Sequence, residues 1–264
     1  MKTACIINDF YNSEYVFRAI KSVENQVDEI ILVGYKDIRN ILSNKLKYFN
    51  CKLTGTGERY LYGMRQTDAD YIFLLDYDDE FLPNKVKHIL EREVDFNKEV
   101  FKYPELMDYN YFIKYNPDWH ISQYSFSKKY VYYIENLIET TGIDCNYSFD
   151  KILYATATIY EDDMFNILSN NYTIKHYHKY SKTNTINKHK FYIETYANFL
   201  IMSYVEEFNK YSDDYFEYTK YNTYLNKFLS EPSLFTLREL TNKYNIPLYK
   251  KLYYIWYIIQ ERTK

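Results

Sequence analysis

Residues 71–83, YIFLLDYDDEFLP, decide how the chain is read. An aromatic and aliphatic run from Tyr71 to Leu75 passes directly into Asp76, Asp78, Asp79 and Glu80. The run predicts a buried strand, and carboxylates massed at its end must be hydrated, paired or bound to a cation. Upstream, ACIIND (4–9) predicts a first strand, and Ser13 to Asn25 a helix with Ser13 as N-cap and Val16, Phe17, Ile20 and Val23 at helical spacing. DEIILVGY (28–35) predicts a second strand, IRNILSNKLKYF (38–49) a second helix, CKLTGTG (51–57) a short strand and turn, and GERYLYGMRQTDAD (57–70) another helix. Downstream, PNKVKHILERE (83–93) starts a helix with Pro83 near its first position. Strands alternating with helices build a parallel sheet covered on both faces, and such sheets take ligands beyond the carboxyl ends of their strands. The acidic cluster stands at one of those ends.

Strand alternation puts the carboxylates of Asp76 and Asp78 on one side. Like charges held close raise each other's pKa unless a cation neutralises them, and a hard divalent ion with oxygen ligands does so while also clamping a diphosphate. A solvated acidic loop, or charges that complement the dipole of the next helix, accounts for the same residues.

Composition narrows the classes. With 33 Lys and Arg against 36 Asp and Glu, the net charge of −3 provides no overall basic field for nucleic acid. The 35 tyrosines, with 5 Gly and 5 Pro, exclude low-complexity disorder. Cys5, Cys51 and Cys145 are scattered and lack metal spacing, which predicts free thiols in a reducing compartment. No basic-then-apolar leader precedes Cys5, and no run of about 18 apolar residues occurs, so secretion and a membrane span are not expected. The expected location is cytoplasmic, with peripheral membrane association left open.

Between Phe96 and Tyr160, stretches such as YNYFIKY (109–115) and KYVYYI (129–134) predict short aromatic strands forming an antiparallel, acceptor-facing part of the same domain. From about Lys190 the chain reads as helical. Its last element, PLYKKLYYIWYIIQERTK (247–264), places Leu248, Leu252, Ile255, Trp256 and Ile259 on one stripe with lysines at the border. Such a stripe packs on the protein or a second copy, or lies in a membrane interface. Packing is the preferred expectation, since tyrosines interleave the stripe and their hydroxyls seek protein partners.

Three ordered blocks resemble the family 2 glycosyltransferases, which have the GT-A fold. They are CIINDFYNSEYVFRAIKSVENQ (5–26), GMRQTDADYIFLLDYDDEFLPNKV (63–86), with Gly63 ahead of Asp76, and EDDMFNILSNNYTI (161–174), read as acids followed by a helix. The resemblance implies an α/β fold, a Rossmann-like nucleotide-diphospho-sugar transferase sandwich with a mainly parallel central sheet and a C-terminal helical extension. The expected domains are a catalytic 1–188, split into a nucleotide-sugar half (1–95) and an acceptor half (96–188), and an extension over 189–264. The implied activity is metal-dependent, inverting transfer of a sugar from a nucleotide diphosphate sugar, a UDP-sugar first, to an acceptor hydroxyl. The resemblance puts Asp76 near the ribose, binds Mn2+ or Mg2+ through Asp76, Asp78 and His178, and makes Asp162 the general base. Phe10, Tyr11, Asn12 and Tyr77 would contact the nucleotide. The family's second-strand acids are replaced here by Gly34 and Tyr35, so either Asp37 compensates or Tyr35 stacks on the base, and the arginine ahead of the glycine is Arg59 or Arg65, with Arg65 taken for the site.

Two other readings share the scaffold. A nucleotidyltransferase would cradle a triphosphate in a Gly-rich loop after the first strand, but NDFYNSEY (8–15) has no glycine. An inactive glycan- or protein-binding domain would have no need for carboxylates at Asp76, Asp78 and Asp162 together. A homo-oligomer through the C-terminal helices is also expected.

Overall fold

The structure, a computed structural model, describes residues 1–9, 15–34, 43–53, 55–92, 95–99, 120–146, 149–160, 165–168, 172–176, 197, 224–225, 227–229, 231–243, 251–252, 254–256 and 258–259. The chain divides into two compact units, Met1–His178 and Lys179–Lys264.

In the first unit, β1 (Thr3–Asp9), β2 (Glu29–Gly34), β3 (Leu46–Asn50) and β4 (Tyr71–Asp76) run parallel in the order β3-β2-β1-β4. Chain order reverses between β1 and β4, so the crevice beyond those two strand ends is the topological switch point, the place where such sheets take ligands. The register aligns Asn8 with Asp76 across that boundary and Asp9 with Gly34 on the other side. Beyond β4 the sheet turns antiparallel through β7 (Tyr124–Ser127) and β6 (Phe96–Glu99), and β8 (Phe165–Leu168) pairs parallel with β6. A two-stranded ribbon joins β5 (Glu80–Phe81) to β9 (Thr173–Ile174).

β1 and β2 are buried along their whole lengths, as strands covered on both faces must be. On one face Cys5, Ile7, Leu32, Phe73 and Leu75 pack with Val16, Ala19 and Ile20 of α1 (Tyr15–Val23) and with Val86 and Ile89 of α3 (Lys85–Leu90). The other face receives α2 (Thr56–Arg65) at very close range. A Cβ on Gly63 would lie 2.5 Å from Ile6 Cγ2 and 3.0 Å from Val33 Cγ2, so only glycine lets the helix approach this near.

Three local expectations are corrected. The second predicted helix, 38–49, ends in strand β3, whose residues pair with Ile30 to Gly34. KYVYYI belongs to helix α4 (Lys128–Thr141), which buries Tyr130, Val131, Ile134 and Leu137 at helical spacing and is capped by Ser127, whose Oγ accepts from the Tyr130 N–H at 3.2 Å. It is followed by α5 (Phe149–Tyr160), so much of the region expected as aromatic strands is helical. The helix expected after Asp163 is instead β8 over 165–168. YNYFIKY lies outside the described residues. The three cysteines are free and buried.

In the second unit, α6 (Leu234–Lys243) and helical residues near 224–229 and 251–259 bury Phe228, Leu237, Leu240, Tyr254 and Ile258 together. The last helix therefore packs through Tyr254 and Ile258, a different face from the expected stripe. No helix of the described residues is long and apolar enough to cross a membrane.

Candidate functional site

β4 ends at Asp76, and the chain does not continue extended. The Asp79 N–H bonds to the Asp76 carbonyl at 3.1 Å, closing a turn that brings residue i+3 back beside residue i. The side chains that meet are therefore Asp76 and Asp79, joined by His120 from the segment entering β7. Ligand atoms of these three lie within 4.8 Å of one another. His120 Nδ1 is 3.3 Å from Asp79 Oδ2, and its Nε2 is 4.0 Å from Asp76 Oδ2.

Each carboxylate is held by fixed donors. The Tyr60 hydroxyl, projecting from α2, donates to Asp76 Oδ1 at 2.7 Å; burial and the neighbouring Asp76 charge hold this phenol protonated far above its ordinary range. Ser122 Oγ accepts from the Asp76 N–H (2.9 Å) and donates to Asp79 Oδ2 (2.6 Å), tying the two ends of the turn together. The His176 N–H reaches Asp79 Oδ1 at 3.3 Å, while the His176 ring pairs with Glu80 at 2.9 Å. Beneath them Lys85, wholly buried, donates to the Ser122 carbonyl and to Thr173 Oγ1, both at 2.8 Å, and lies 3.9 Å from the Phe81 ring centroid.

The electrostatics are those of crowded acid. Burial, then the charges of Asp78 and Asp79, hold the Asp76 carboxyl well above the usual carboxylate range. Burial, opposed by the Ser122 hydrogen bond and reinforced by Asp78, raises Asp79 to about 7. Among the described residues no Lys or Arg makes an ion pair with either carboxylate, while His120 touches both. Two carboxylates and an imidazole, with no ion-paired Lys or Arg among the described residues, fit a hard or borderline divalent cation such as Mg2+ or Mn2+.

A second group of polar side chains lines the neighbouring strand ends. Arg59 of α2 is fully buried, its Nε donating to the Leu53 carbonyl at 2.7 Å and its Nη1 to the Asp9 carbonyl at 3.0 Å and Asn8 Oδ1 at 3.3 Å. Asn8 Nδ2 is buried and has no hydrogen-bond partner among the described residues. At the end of β2, a Cβ on Gly34 would sit 3.2 Å from Asp9 Cβ, so the glycine leaves room for the acid that β1 supplies.

Of the residues expected at the site, Asp76 is in the cluster and Asp78 is half-buried on the same turn, close enough to raise both neighbours. Tyr77 is a core residue, packed with Phe73, Leu75 and Phe81. Arg65 ends α2 at the opposite, N-terminal side of the strands, where it pairs with Glu135 (2.9 Å) and Glu139 (3.3 Å) of α4; Arg59 is the arginine at the strand ends. Phe10, Tyr11, Asn12, Asp37, Asp162 and His178 lie outside the described residues. Asp79 was in the quoted acidic run, and its role follows from the turn at Tyr77 and Asp78. His120 and Ser122 carry no local signal, because the β4–β7 pairing is what brings them to Asp76.

Solved structures share this fold. S. aureus TarS matches with a TM-score of 0.59 at 15% identity, over 92% of this chain and 48% of that one, so the chain spans about half the length of that protein. A structure of TarS 1–349 in complex with UDP-GlcNAc matches with a TM-score of 0.58 at 14% identity, over 92% and 79% of the two chains. The mannosyltransferase PcManGT from Pyrobaculum calidifontis, in complex with GDP-Man and Mn2+, gives 0.54 at 12% identity, over 95% and 78%. Among curated protein sequences none matches. The family model described as Glycosyl transferase family 2 matches residues 5–153.

Proposed function

The chain belongs to glycosyl transferase family 2, and from that premise we propose that it transfers a sugar from a nucleotide diphosphate sugar to an acceptor hydroxyl, with a divalent cation and inversion at the anomeric carbon. The fold is the GT-A arrangement expected from the sequence. The observation that carries the finer reading is the Asp76–Asp79–His120 cluster at the switch point between β1 and β4. Those three residues would hold Mn2+ or Mg2+, with Asp78 adding charge from the same turn. A cation bound there would offset the negative charge that develops on the departing diphosphate.

The protein's own groups do the rest. Tyr60 and Ser122 keep the carboxylates in register, so their orientation is set before a donor arrives. Arg59, Asn8 and Asp9 present donors and acceptors at the ends of β1 and β2, where the nucleotide of a UDP-sugar would be read; Asp37 and the aromatic pair Phe10 and Tyr11 remain proposed contacts, with Asn12. Asp162 is the proposed base: a carboxylate on the acceptor side takes the hydroxyl proton as that oxygen attacks the anomeric carbon. His178 is the proposed further contact to cation or diphosphate.

Two neighbours hold UDP-GlcNAc and GDP-Man with Mn2+, which makes these the first ligands to try. UDP or GDP should raise the melting temperature with Mn2+ or Mg2+ and leave it unchanged in chelator. Equal binding with and without a cation would refute the metal reading. Asp162→Asn should abolish transfer while keeping cation-dependent donor binding, and product anomers resolved by NMR decide between inversion and retention.

A further inference from the structure

The last helical residues carry two apolar faces. Tyr254 and Ile258 are buried with Phe228, Leu237 and Leu240. Leu252, Ile255, Trp256 and Ile259 are 39 to 58% exposed. At 3.6 residues per turn these four form one stripe, roughly opposite the buried pair. Contiguous large apolar side chains exposed to this extent mark an interaction surface.

Charge selects the occupant. Residues 243–264 contain Lys243, Lys250, Lys251, Arg262 and Lys264 against the single acid Glu261. Over 179–264 the balance is 13 Lys and Arg to 9 Asp and Glu, in a chain whose total is −3. A second copy apposed on the same stripe would bring identical basic flanks together. An anionic bilayer neutralises them, and it receives the apolar stripe at the depth where tryptophan sits best, with lysine stems lying along the apolar surface.

We propose that the Leu252–Ile255–Trp256–Ile259 stripe docks the second unit into the interface of an anionic lipid bilayer. The proposal rests on the second unit alone and is independent of the catalytic reading.

The full chain is tested by sedimentation with phosphatidylcholine vesicles made with and without phosphatidylglycerol. Binding should be at least roughly tenfold tighter to the anionic vesicles at low salt, and the preference should shrink at high salt. Tryptophan emission should shift to the blue on binding, and Trp256→Phe should bind while losing most of that shift. The double substitution Leu252→Ser, Trp256→Ser should weaken binding by about tenfold or more. Both side chains are exposed, so its melting temperature and its nucleotide binding should stay at the native values. Indifference to anionic vesicles at low salt, or native binding by the double variant, would overturn the proposal. So would an intact chain that sediments as a dimer and a double variant that sediments as a monomer, which would make a second copy the occupant.

Discussion

Asp79 is 1% exposed, hydrogen-bonded at both oxygens and raised from 3.8 to about 7, chiefly by burial. Between those two values the folded protein keeps a proton that the unfolded chain has released, so cation-free stability falls as pH rises across that window and levels off above it. Asp76 contributes with the same sign. Asp28 works the other way: the Thr3 backbone hydrogen bond lowers its pKa, and its contribution is lost only below the usual 3.8. Melting temperatures measured in chelator from pH 4 to 8 should therefore decline toward neutrality, and Asp79→Asn should flatten that slope. The same substitution should weaken Mn2+ binding roughly 100-fold by calorimetry, and Asp78→Asn should weaken it less. Arg59→Met leaves the Leu53 and Asp9 carbonyls and Asn8 without their donor and should lower stability by about 2–4 kcal/mol in urea titration; Arg59→Lys should not restore it, since an ammonium cannot span three acceptors set around a planar fork. The acids were legible as a cluster. Which pair meets was not, because strand periodicity ceases to apply once the chain turns at Tyr77.

At the scale of elements, the approach of α2 to β1 and β2 sets the site, since Arg59 and Tyr60 reach it from that helix. Gly63→Ala gains about 1 kcal/mol of helix propensity, yet it places a methyl 2.5 Å from Ile6 Cγ2 and should destabilise overall by about 1–3 kcal/mol, with donor affinity falling alongside. Ser127→Ala removes the cap of α4 and should cost about 1 kcal/mol with no change in nucleotide binding; both are read by urea titration paired with ligand thermal shift. The parallel core was legible because β1, β2 and β4 are apolar on both faces and separated by helical spacing. α4 was not, since tyrosine and valine suggest strand by composition while the burial of Tyr130, Val131, Ile134 and Leu137 follows 3.6 residues per turn. β3 was missed for the converse reason: its residues are half-buried or exposed, and the partner β2 supplies the order.

At the scale of the molecule, each unit has its own core, and Tyr254 and Ile258 belong to the second. Deleting residues 247–264 removes both and, at about 2–4 kcal/mol for each buried side chain, should abolish a separate calorimetric transition of 179–264 while the transition of 1–178 persists. The first unit is closed late along the chain. β5 finds its partner in Thr173–Ile174, and the Asp79 carboxylate takes the N–H of His176, 97 residues further on. A nascent chain emerging from the ribosome thus completes β1 to β4 early, but β5 lacks its partner strand and Asp79 its last hydrogen-bond donor until residue 176 clears the exit tunnel.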